Sequence, residues 1–188
     1  MPELDDNLLA RRAVEGDTDA FGVLANRYRD AIYSFALRML GDSEEAFDAA
    51  QEILIRAYTG LETFDRRRQF RPWLFAIAAN TCKDLLRRRR RHDRVRHDEN
   101  VVDEPADDGA SPAGVVAVVD LQRELTAALQ HLSDAERTVV VLKHTQGFTY
   151  EEISSVMGMS VGTLKSHAHR GRRKLTELLA PAATESAQ

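Results

Sequence analysis

The chain has 188 residues, of which 43% are apolar and 30% are charged, so it can form one ordinary domain or two small ones. No apolar run is long enough to cross a bilayer, and the acidic N-terminus is unlike a secretory signal, so we expect a cytoplasmic protein. The net charge of -4 does not exclude nucleic-acid binding, because local clusters of charge set the local field. The single cysteine, Cys82, excludes an internal disulfide, and its apolar neighbours predict a small buried side chain.

Charge is segregated along the chain. Residues 1–91 carry 16 basic and 15 acidic residues, residues 92–118 carry 2 and 7, and residues 119–188 carry 8 and 8. Within the two flanking segments the basic residues are bunched, in three clusters: Arg66, Arg67, Arg68 and Arg71; Arg87 to Arg91; and Lys165, Arg170, Arg172, Arg173 and Lys174.

The first half of the chain has the apolar spacing of helices. One predicted helix begins before Phe21 and stops at Gly41, and a second begins near Ser43. A third is predicted to begin at Pro72, because proline suits the first turn of a helix, and to run into the arginines. Three to four helices of this length form a compact bundle.

Residues 98–114 separate two predicted domains. They contain two prolines, two glycines and six acidic residues, with no basic or aromatic residue. This composition cannot bury enough surface to offset the entropy of ordering. We therefore expect an all-α protein with a helical bundle at 1–94, a flexible acidic linker at 95–118, a helix-turn-helix domain at 119–180 and a disordered tail at 181–188.

The second half of the chain contains strong local signals for helix boundaries. A short helix is predicted at Tyr150–Met157, followed by a final helix that Ser160 caps and that runs to about Leu179. Two helices joined by a short glycine-containing turn form a helix-turn-helix. The boundary signals are two capping boxes and two stop glycines: Ser133 with Glu136, Thr149 with Glu152, Gly147 and Gly158.

One face of the final helix is polar and basic, which predicts a duplex DNA interface. Residues near the start of a recognition helix reach base edges, and basic residues farther along typically contact phosphates. The alternative is a solvated basic face on an ordinary bundle helix. The two histidines stand two apart and so point to different sides of the helix, and no metal or cofactor site is predicted. The candidates are Ser160, Gly162, Thr163, Lys165, Ser166, His167, His169, Arg170, Arg172 and Arg173, with Thr163, Ser166 and His167 as base readers.

A segment of interleaved aromatic and arginine residues precedes and begins the third helix. Rings stack on unpaired bases while guanidinium groups follow the backbone, so this segment suits single-stranded nucleic acid. Some of the rings must pack the core instead, and Trp73 is as suited to the core as to a base. The candidates are Phe64, Arg66, Arg67, Arg68, Phe70, Arg71, Trp73, Asn80, Lys83 and Arg87.

The second predicted helix carries a polar patch of Asp48, Gln51 and Glu52, which helical spacing places together. These side chains either solvate the helix or contact a basic partner. An acidic active site is a third interpretation. Ser43 and Asp48 are available in principle to a DNA-acting enzyme, which is a separate hypothesis. No histidine or cysteine accompanies the patch, and no phosphate-binding glycine loop occurs in the sequence, so we expect no enzymatic activity and no catalytic residue.

Taken in order, these motifs resemble the extracytoplasmic-function (group IV) sigma factors, over about nine-tenths of the chain. The resemblance rests on D-x-x-Q-E at 48–52, F-x-x-W-L-x-x-I-A-x-N ending at Asn80, the arginine run, the linker, and a helix-turn-helix ending K-S-H-x-x-R-G-R. Each motif alone is weak, and the combination is highly specific.

The resemblance implies a subunit that gives bacterial RNA polymerase its promoter specificity, in a stress or envelope-signal response. Asp48, Gln51 and Glu52 match the patch that binds the clamp helices of the polymerase's largest subunit, and the flap of the second-largest subunit is a further implied partner. Phe64–Arg71 and the helix through Asn80 and Lys83 match the segment that captures a flipped base of the minus-ten element and holds the melted strand. The final helix matches the reader of the minus-thirty-five duplex.

The sequence departs from the family pattern at two positions, and the resemblance implies further partners. The family often has arginine where His167 stands and alanine where Gly171 stands, so the duplex preference is expected to differ from the common one. The acidic linker resembles the segment that threads the polymerase cleft, and an anti-sigma factor is an expected partner. The rival hypothesis is a stand-alone helix-turn-helix regulator, and a DNA-acting enzyme is a second rival that lacks a placed activating base.

Overall fold

The structure, a computed structural model, describes residues 5–97 and 113–180, with the side chains of residues 5–92, 94 and 120–180. The described residues are helical, as predicted, and none of their helices is both long and apolar enough to span a membrane. Most of the predicted linker and the whole predicted tail lie outside the described residues. The helices are α1 Asp6–Val14, α2 Thr18–Leu40, α3 Ser43–Thr59, α4 Phe70–His97, α5 Ala113–Gln130, α6 Asp134–His144, α7 Tyr150–Met157 and α8 Val161–Leu179, with a short 3-10 turn at Leu61–Thr63.

Helices α1 to α4 form the N-terminal domain. Side-chain caps start α2 and α3: Asp17 accepts from the Ala20 N–H at 3.0 Å, and Asp42 accepts from the Glu45 N–H at 2.8 Å. Gly41 ends α2 with φ 82°, a left-handed conformation that glycine adopts without a steric penalty, as the sequence predicted. The apolar faces of these helices, including the fully buried Cys82, form one core.

Helix α4 begins at Phe70, two residues before the predicted start at Pro72. The Asn7 side chain on α1 accepts from the Phe70 N–H at 2.9 Å and so satisfies one of the unpaired groups of the first turn. Pro72 still lies in that first turn, where a missing N–H has no intrahelical partner to lose. Pro72 therefore predicted the start of α4 to within two residues. The bond to Asn7, which is distant in sequence, allows the helix to begin earlier, at Phe70.

Helices α5 to α8 form the C-terminal domain, and their boundaries follow the predicted signals. Both capping boxes are present, with the reciprocal side-chain and backbone bonds in place. Gly147 and Gly158 adopt φ values of 70° and 65°, which confirms them as left-handed stop residues. The helix-turn-helix prediction for α7 and α8 is therefore confirmed at the level of the fold.

The two domains lie in contact. Phe148, in the turn before α7, is fully buried between α4 residues, and its ring centroid lies 5.0 Å from that of Phe75. On α6, the buried Arg137 donates to the Met39 carbonyl at the end of α2. Helices α4 and α5 also extend into the predicted linker, to His97 and from Ala113.

Candidate nucleic-acid interface

The outward face of α8 is exposed and basic. At 100° per residue, Ser166, His169 and Arg173 lie on the side opposite the buried Leu164, Ala168 and Gly171, and the exposed Lys165 lies at one edge of that side. Arg173 pairs along its own helix with Glu177 at 3.5 Å, and both side chains are exposed. Such an exposed pair contributes little to stability, so this face is available to an anion such as a phosphate.

The start of α8 is fixed by hydroxyl groups. The Ser160 hydroxyl oxygen accepts from the Thr163 N–H at 3.2 Å and lies 2.9 Å from the Thr163 hydroxyl. The Ser166 hydroxyl donates to the Gly162 carbonyl at 3.1 Å. Ser160 is therefore the N-cap of the helix, and Gly162, Thr163 and Ser166 are exposed on its first two turns, where a recognition helix meets base edges.

One edge of α8 is bound to α6 through Glu136. This carboxylate is 4% exposed and accepts from Arg170 Nε at 3.2 Å and from Lys174 Nζ at 2.8 Å. Burial by itself would raise the pKa of Glu136, but the bonds from Lys174, from Ser133 and from Arg170 outweigh it and lower the pKa to about 2. The sequence predicted Glu136 only as a capping residue; its contact with α8, 34 residues away, has no local signal.

Arg170 also contacts His167 on the same helix. The two guanidinium arms are used separately, Nε on Glu136 and NH2 on His167 Nδ1, the latter at 2.9 Å. His167 is half-buried and lies one turn before Arg170. Both were predicted to face duplex DNA, and both lie at the edge of the outward face rather than at its centre.

Arg172 lies on the edge of α8 opposite Arg170 and His167, the edge that it shares with Lys165. It lines an apolar groove of about 550 Å³ with residues such as Leu125, Leu129, Val140 and Leu175. Burial lowers the pKa of His144 in the same groove, and the charge of Arg172 lowers it further. This placement differs from the expectation for Arg172, because the sequence pattern could not separate the two edges of the helix's polar and basic face.

The predicted single-strand surface continues along α4. Asn80, Lys83 and Arg87 are exposed and follow one face of the helix at spacings of three and four residues. Arg87 pairs with Asp84 on the same helix. Farther along, Arg90 pairs with Asp134 of the C-terminal domain, so the basic end of α4 reaches both domains.

The loop before α4 presents its arginines to solvent. Arg66 donates to Glu15 at 3.0 Å, and the Arg67 N–H donates to the Asp65 carboxylate at 3.0 Å, which forms a tight turn. Arg68 is exposed, with its nearest carboxylate, that of Asp65, at 3.9 Å. Three guanidinium groups are thereby displayed within one short turn.

Two aromatic residues of this segment pack in the core. Phe64 and Phe70 are 5% and 1% exposed, and they contact each other and Trp73 with centroid separations of 5.0–6.0 Å. This differs from the expectation that their rings stack on bases, because a buried ring presents no free face. Trp73 is half-buried, with one side on this cluster and the other on a cleft.

That cleft lies between the start of α4 and the helix-turn-helix. It has a volume of about 510 Å³ and is lined by Arg68 and Trp73 on one side and by Glu151 and Glu152 of α7 on the other. Arg71, a predicted strand contact, instead stacks 4.1 Å above the Phe148 ring and donates to the Gln146 carbonyl. In this arrangement the C-terminal domain covers part of the predicted single-strand surface.

The polar patch on α3 is brought together as predicted and has an apolar component. Asp48 and Gln51 are exposed, and Glu52 pairs with Arg56 at 2.5 Å. Phe47 and Ile55, which are 58% and 63% exposed, lie beside them. The sequence interpretation did not single out Phe47, although its spacing of four residues from Gln51 places both on one face. Large exposed apolar residues beside charges are typical of a protein-binding surface.

Both domains match known protein families. Residues 24–92 match the family model described as Sigma-70 region 2, and residues 122–175 match the one described as Sigma-70, region 4. The chain is 35% identical to the ECF RNA polymerase sigma factor SigW of Bacillus subtilis, over 90% of this chain and 94% of that one.

Two solved structures have a similar fold. CnrH in complex with the cytosolic domain of CnrY has a TM-score of 0.71 and 29% identity, covering 94% of this chain and 97% of that chain. The sigma factor RpoE in complex with the anti-sigma factor NepR from Bartonella quintana has a TM-score of 0.70 and 27% identity, covering 85% of this chain and 96% of that chain. The region 2 and region 4 matches fall on the N-terminal and C-terminal domains described above. The chain belongs to the extracytoplasmic-function sigma factors of the sigma-70 family, non-enzymatic subunits that direct transcription initiation by RNA polymerase.

Proposed function

We propose that this chain acts in the bacterial cytoplasm, in a stress or envelope-signal response, and uses three separate surfaces to place core polymerase on a promoter. The proposal rests on the presence of three different surfaces in one chain. Helix α3 has a face that is acidic and apolar, α4 has a basic face along its length, and α8 is a basic recognition helix. A stand-alone regulator needs the last of these and has no use for the first two.

The α3 face is proposed to bind the clamp helices of the polymerase's largest subunit. Asp48, Gln51 and Glu52 offer carboxylates and an amide to a basic partner, and Phe47 and Ile55 offer apolar surface that water otherwise covers. The combination of apolar anchors and a charged rim is typical of a stable protein interface. The apolar groove between α5, α6 and α8 is suited to the flap of the second-largest subunit.

The α4 face is proposed to hold the melted minus-ten strand. Asn80, Lys83 and Arg87 supply one amide and two cations along the helix, and Arg66, Arg67 and Arg68 add three more cations beside Trp73. We assign Phe64 and Phe70 a supporting role, because their packing holds Trp73 at the edge of the cleft. The acids Glu151 and Glu152 repel a nucleic-acid strand, so strand binding requires α7 to leave this surface.

Helix α8 is proposed to read the minus-thirty-five duplex. We assign Gly162, Thr163, Ser166 and His167 to base edges, and Lys165, His169 and Arg173 to phosphates. Ser160 has an indirect role, because it caps the N-terminus of α8 and so positions the residues that follow. We assign Arg172 no duplex contact, because it lines the apolar groove on one edge of α8. An anti-sigma factor is a further proposed partner, supported by the likeness to a sigma factor solved with one.

In vitro transcription tests the proposal. Core polymerase is incubated with and without the chain on a pool of random promoter fragments, and we expect chain-dependent transcripts that share two spaced upstream elements. The double variant Asp48→Arg and Glu52→Arg should lose binding to core polymerase while its helix content is unchanged. A matched charge reversal at Asp30 and Glu62, exposed elsewhere on the N-terminal domain, should keep binding. A chain that binds duplex DNA alone and never directs initiation would favour the stand-alone regulator.

A further inference from the structure

The hydrogen bond between Arg170 and His167 assigns different roles to the two ring nitrogens of the histidine. Arg170 NH2 lies 2.9 Å from His167 Nδ1. A guanidinium group has only donors, so Nδ1 must accept. A ring whose Nδ1 accepts carries its proton on Nε2, because imidazolium has a proton on both nitrogens. Nε2 is therefore a hydrogen-bond donor.

This donor is free for a ligand. Within residues 5–97 and 113–180, the only hydrogen bond made by the His167 ring is the one to Arg170. His167 is the seventh residue of α8, on the second turn of the helix that we propose enters the major groove. Side chains at this point of a recognition helix reach base edges.

Glu136 holds the side chain of Arg170 in the position from which it binds His167. The Glu136 carboxylate is almost fully buried, and its Oε1 accepts from Arg170 Nε while its Oε2 accepts from Lys174 and from the Ser133 N–H. Arg170 is otherwise an exposed side chain on a helix surface, with many rotamers open to it. The buried carboxylate selects one of them, and in that rotamer the second arm of the guanidinium group reaches His167.

We propose that Glu136, acting through Arg170, positions His167 so that Nε2 donates one hydrogen bond to an acceptor on the major-groove edge of one base in the upstream duplex element. The inference rests on the proposed function of α8 and deepens it by naming the chemistry of one contact. The acceptors that this edge offers are purine N7, guanine O6 and thymine O4. Glu136 and Arg170 are positioning residues in this scheme, and His167 is the residue that contacts the base.

The test uses holoenzyme reconstituted from core polymerase and the full chain, on a promoter selected from the random pool. Each base of the upstream element is replaced in turn, by the other bases and, at purines, by the 7-deaza analogue, which lacks only the N7 acceptor. Wild-type holoenzyme should lose binding by roughly 5- to 150-fold at the position that His167 contacts, the range for one base-edge contact. His167→Leu, which lacks the donor, should bind the original and replaced duplexes equally at that position.

Glu136→Gln supplies the decisive comparison. Glutamine keeps the capping-box geometry and removes the charge that holds Arg170. We expect this variant to lose discrimination at the His167 position and to keep it at the others. Glu62→Gln is the control, because Glu62 is exposed on the N-terminal domain and belongs to none of the proposed DNA surfaces, and it should keep all discrimination. If Glu136→Gln fails to fold, Arg170→Lys serves instead: lysine can pair with Glu136, but its single amine cannot bridge to His167.

The outcomes are distinct. Discrimination that survives Glu136→Gln or Arg170→Lys overturns the positioning role. A uniform loss on all duplexes with His167→Leu shows a phosphate contact and overturns the base contact. Wild-type chain that directs no initiation, or initiation that ignores the upstream element, overturns the proposed function itself, which the first measurement reveals before any variant is made.

Discussion

Phe148 of the C-terminal domain lies against Phe75 of the N-terminal domain with ring centroids 5.0 Å apart and planes at 65°. Phe75 in turn contacts Phe35 edge-on at 5.6 Å, so three rings join α2, α4 and the turn before α7. Arg71 covers the other side of Phe148 at 4.1 Å. A single side chain of one domain therefore completes the aromatic core of the other.

We expect Phe148→Ala to separate the two domains. Removing a fully buried phenylalanine costs about 3–5 kcal/mol, and here much of that loss falls on the contact between domains. The radius of gyration from small-angle X-ray scattering should increase, while helix content stays close to wild type. Phe47→Ala is the control, because Phe47 is 58% exposed and contributes to no core. An unchanged radius of gyration in Phe148→Ala would contradict the role given to this ring.

The stability contributed by Glu136 should depend on pH in the acid range. Its pKa is lowered in the folded chain to about 2 from an ordinary value of 4.5, so its contribution is complete above that ordinary value. The contribution, on the order of 1–3 kcal/mol after screening by solvent, is lost as the pH falls towards 2. Urea unfolding at a series of pH values should show Glu136→Gln less stable than wild type near neutrality, with the difference shrinking on acidification. A difference that stays constant with pH would mean that the carboxylate charge contributes nothing.

Gly171 and Gly162, both on α8, should respond oppositely to alanine. A Cβ at Gly171 would lie 2.9 Å from Val140 Cγ2 and 3.2 Å from Leu132 Cδ2, so α8 and α6 would have to move apart. We expect Gly171→Ala to lower the free energy of unfolding by about 1–3 kcal/mol. A Cβ at Gly162 meets only Ser160 Oγ at 4.0 Å, and Gly162→Ala should raise stability by about 0.5–1 kcal/mol, since alanine is the better helix former. Thermal unfolding of both variants tests the pair, and a stabilising Gly171→Ala would show that the helices yield freely.

Cys82 should be unreactive in the folded chain. It is fully buried on α4, and burial raises the pKa of its thiol to about 12, so neither access nor thiolate is available near neutral pH. Iodoacetamide should modify the native chain far more slowly than the chain in denaturant, with intact-mass measurement as the readout. Equal rates in the two conditions would contradict the burial. As the only cysteine in the sequence, it also reports opening of the N-terminal core without added labels.

Local chemistry accounts for what the sequence predicted well. A capping box or a stop glycine acts within four residues, so Thr149, Gly158 and Ser160 were sufficient to place α7 and α8 at their observed bounds. The α3 patch followed from helical periodicity, which needs only one helix. The family resemblance added what each surface is for, because none of the motifs alone identifies a partner.

Contacts between distant segments account for what the sequence did not predict. Arg71 was assigned to nucleic acid, but its partner is the Gln146 carbonyl, 75 residues away. The burial of Phe64 and Phe70 was not predicted, because the sequence placed both in a loop before Pro72, and a loop has no period that defines an inner face. Glu136 was visible as a cap, and its link to Arg170 required the packing of α8 on α6.

Arg137 determines how the two domains can part. Inside the C-terminal domain its guanidinium group donates to the carbonyls of Leu129, Gln130 and Leu132, and one further bond reaches the Met39 carbonyl of the N-terminal domain. When the domains separate, the cation keeps its bonds within its own domain, and Met39 gains water at the end of α2. Water can therefore enter between the domains without leaving the buried Arg137 cation unpaired, so its charge does not oppose their separation.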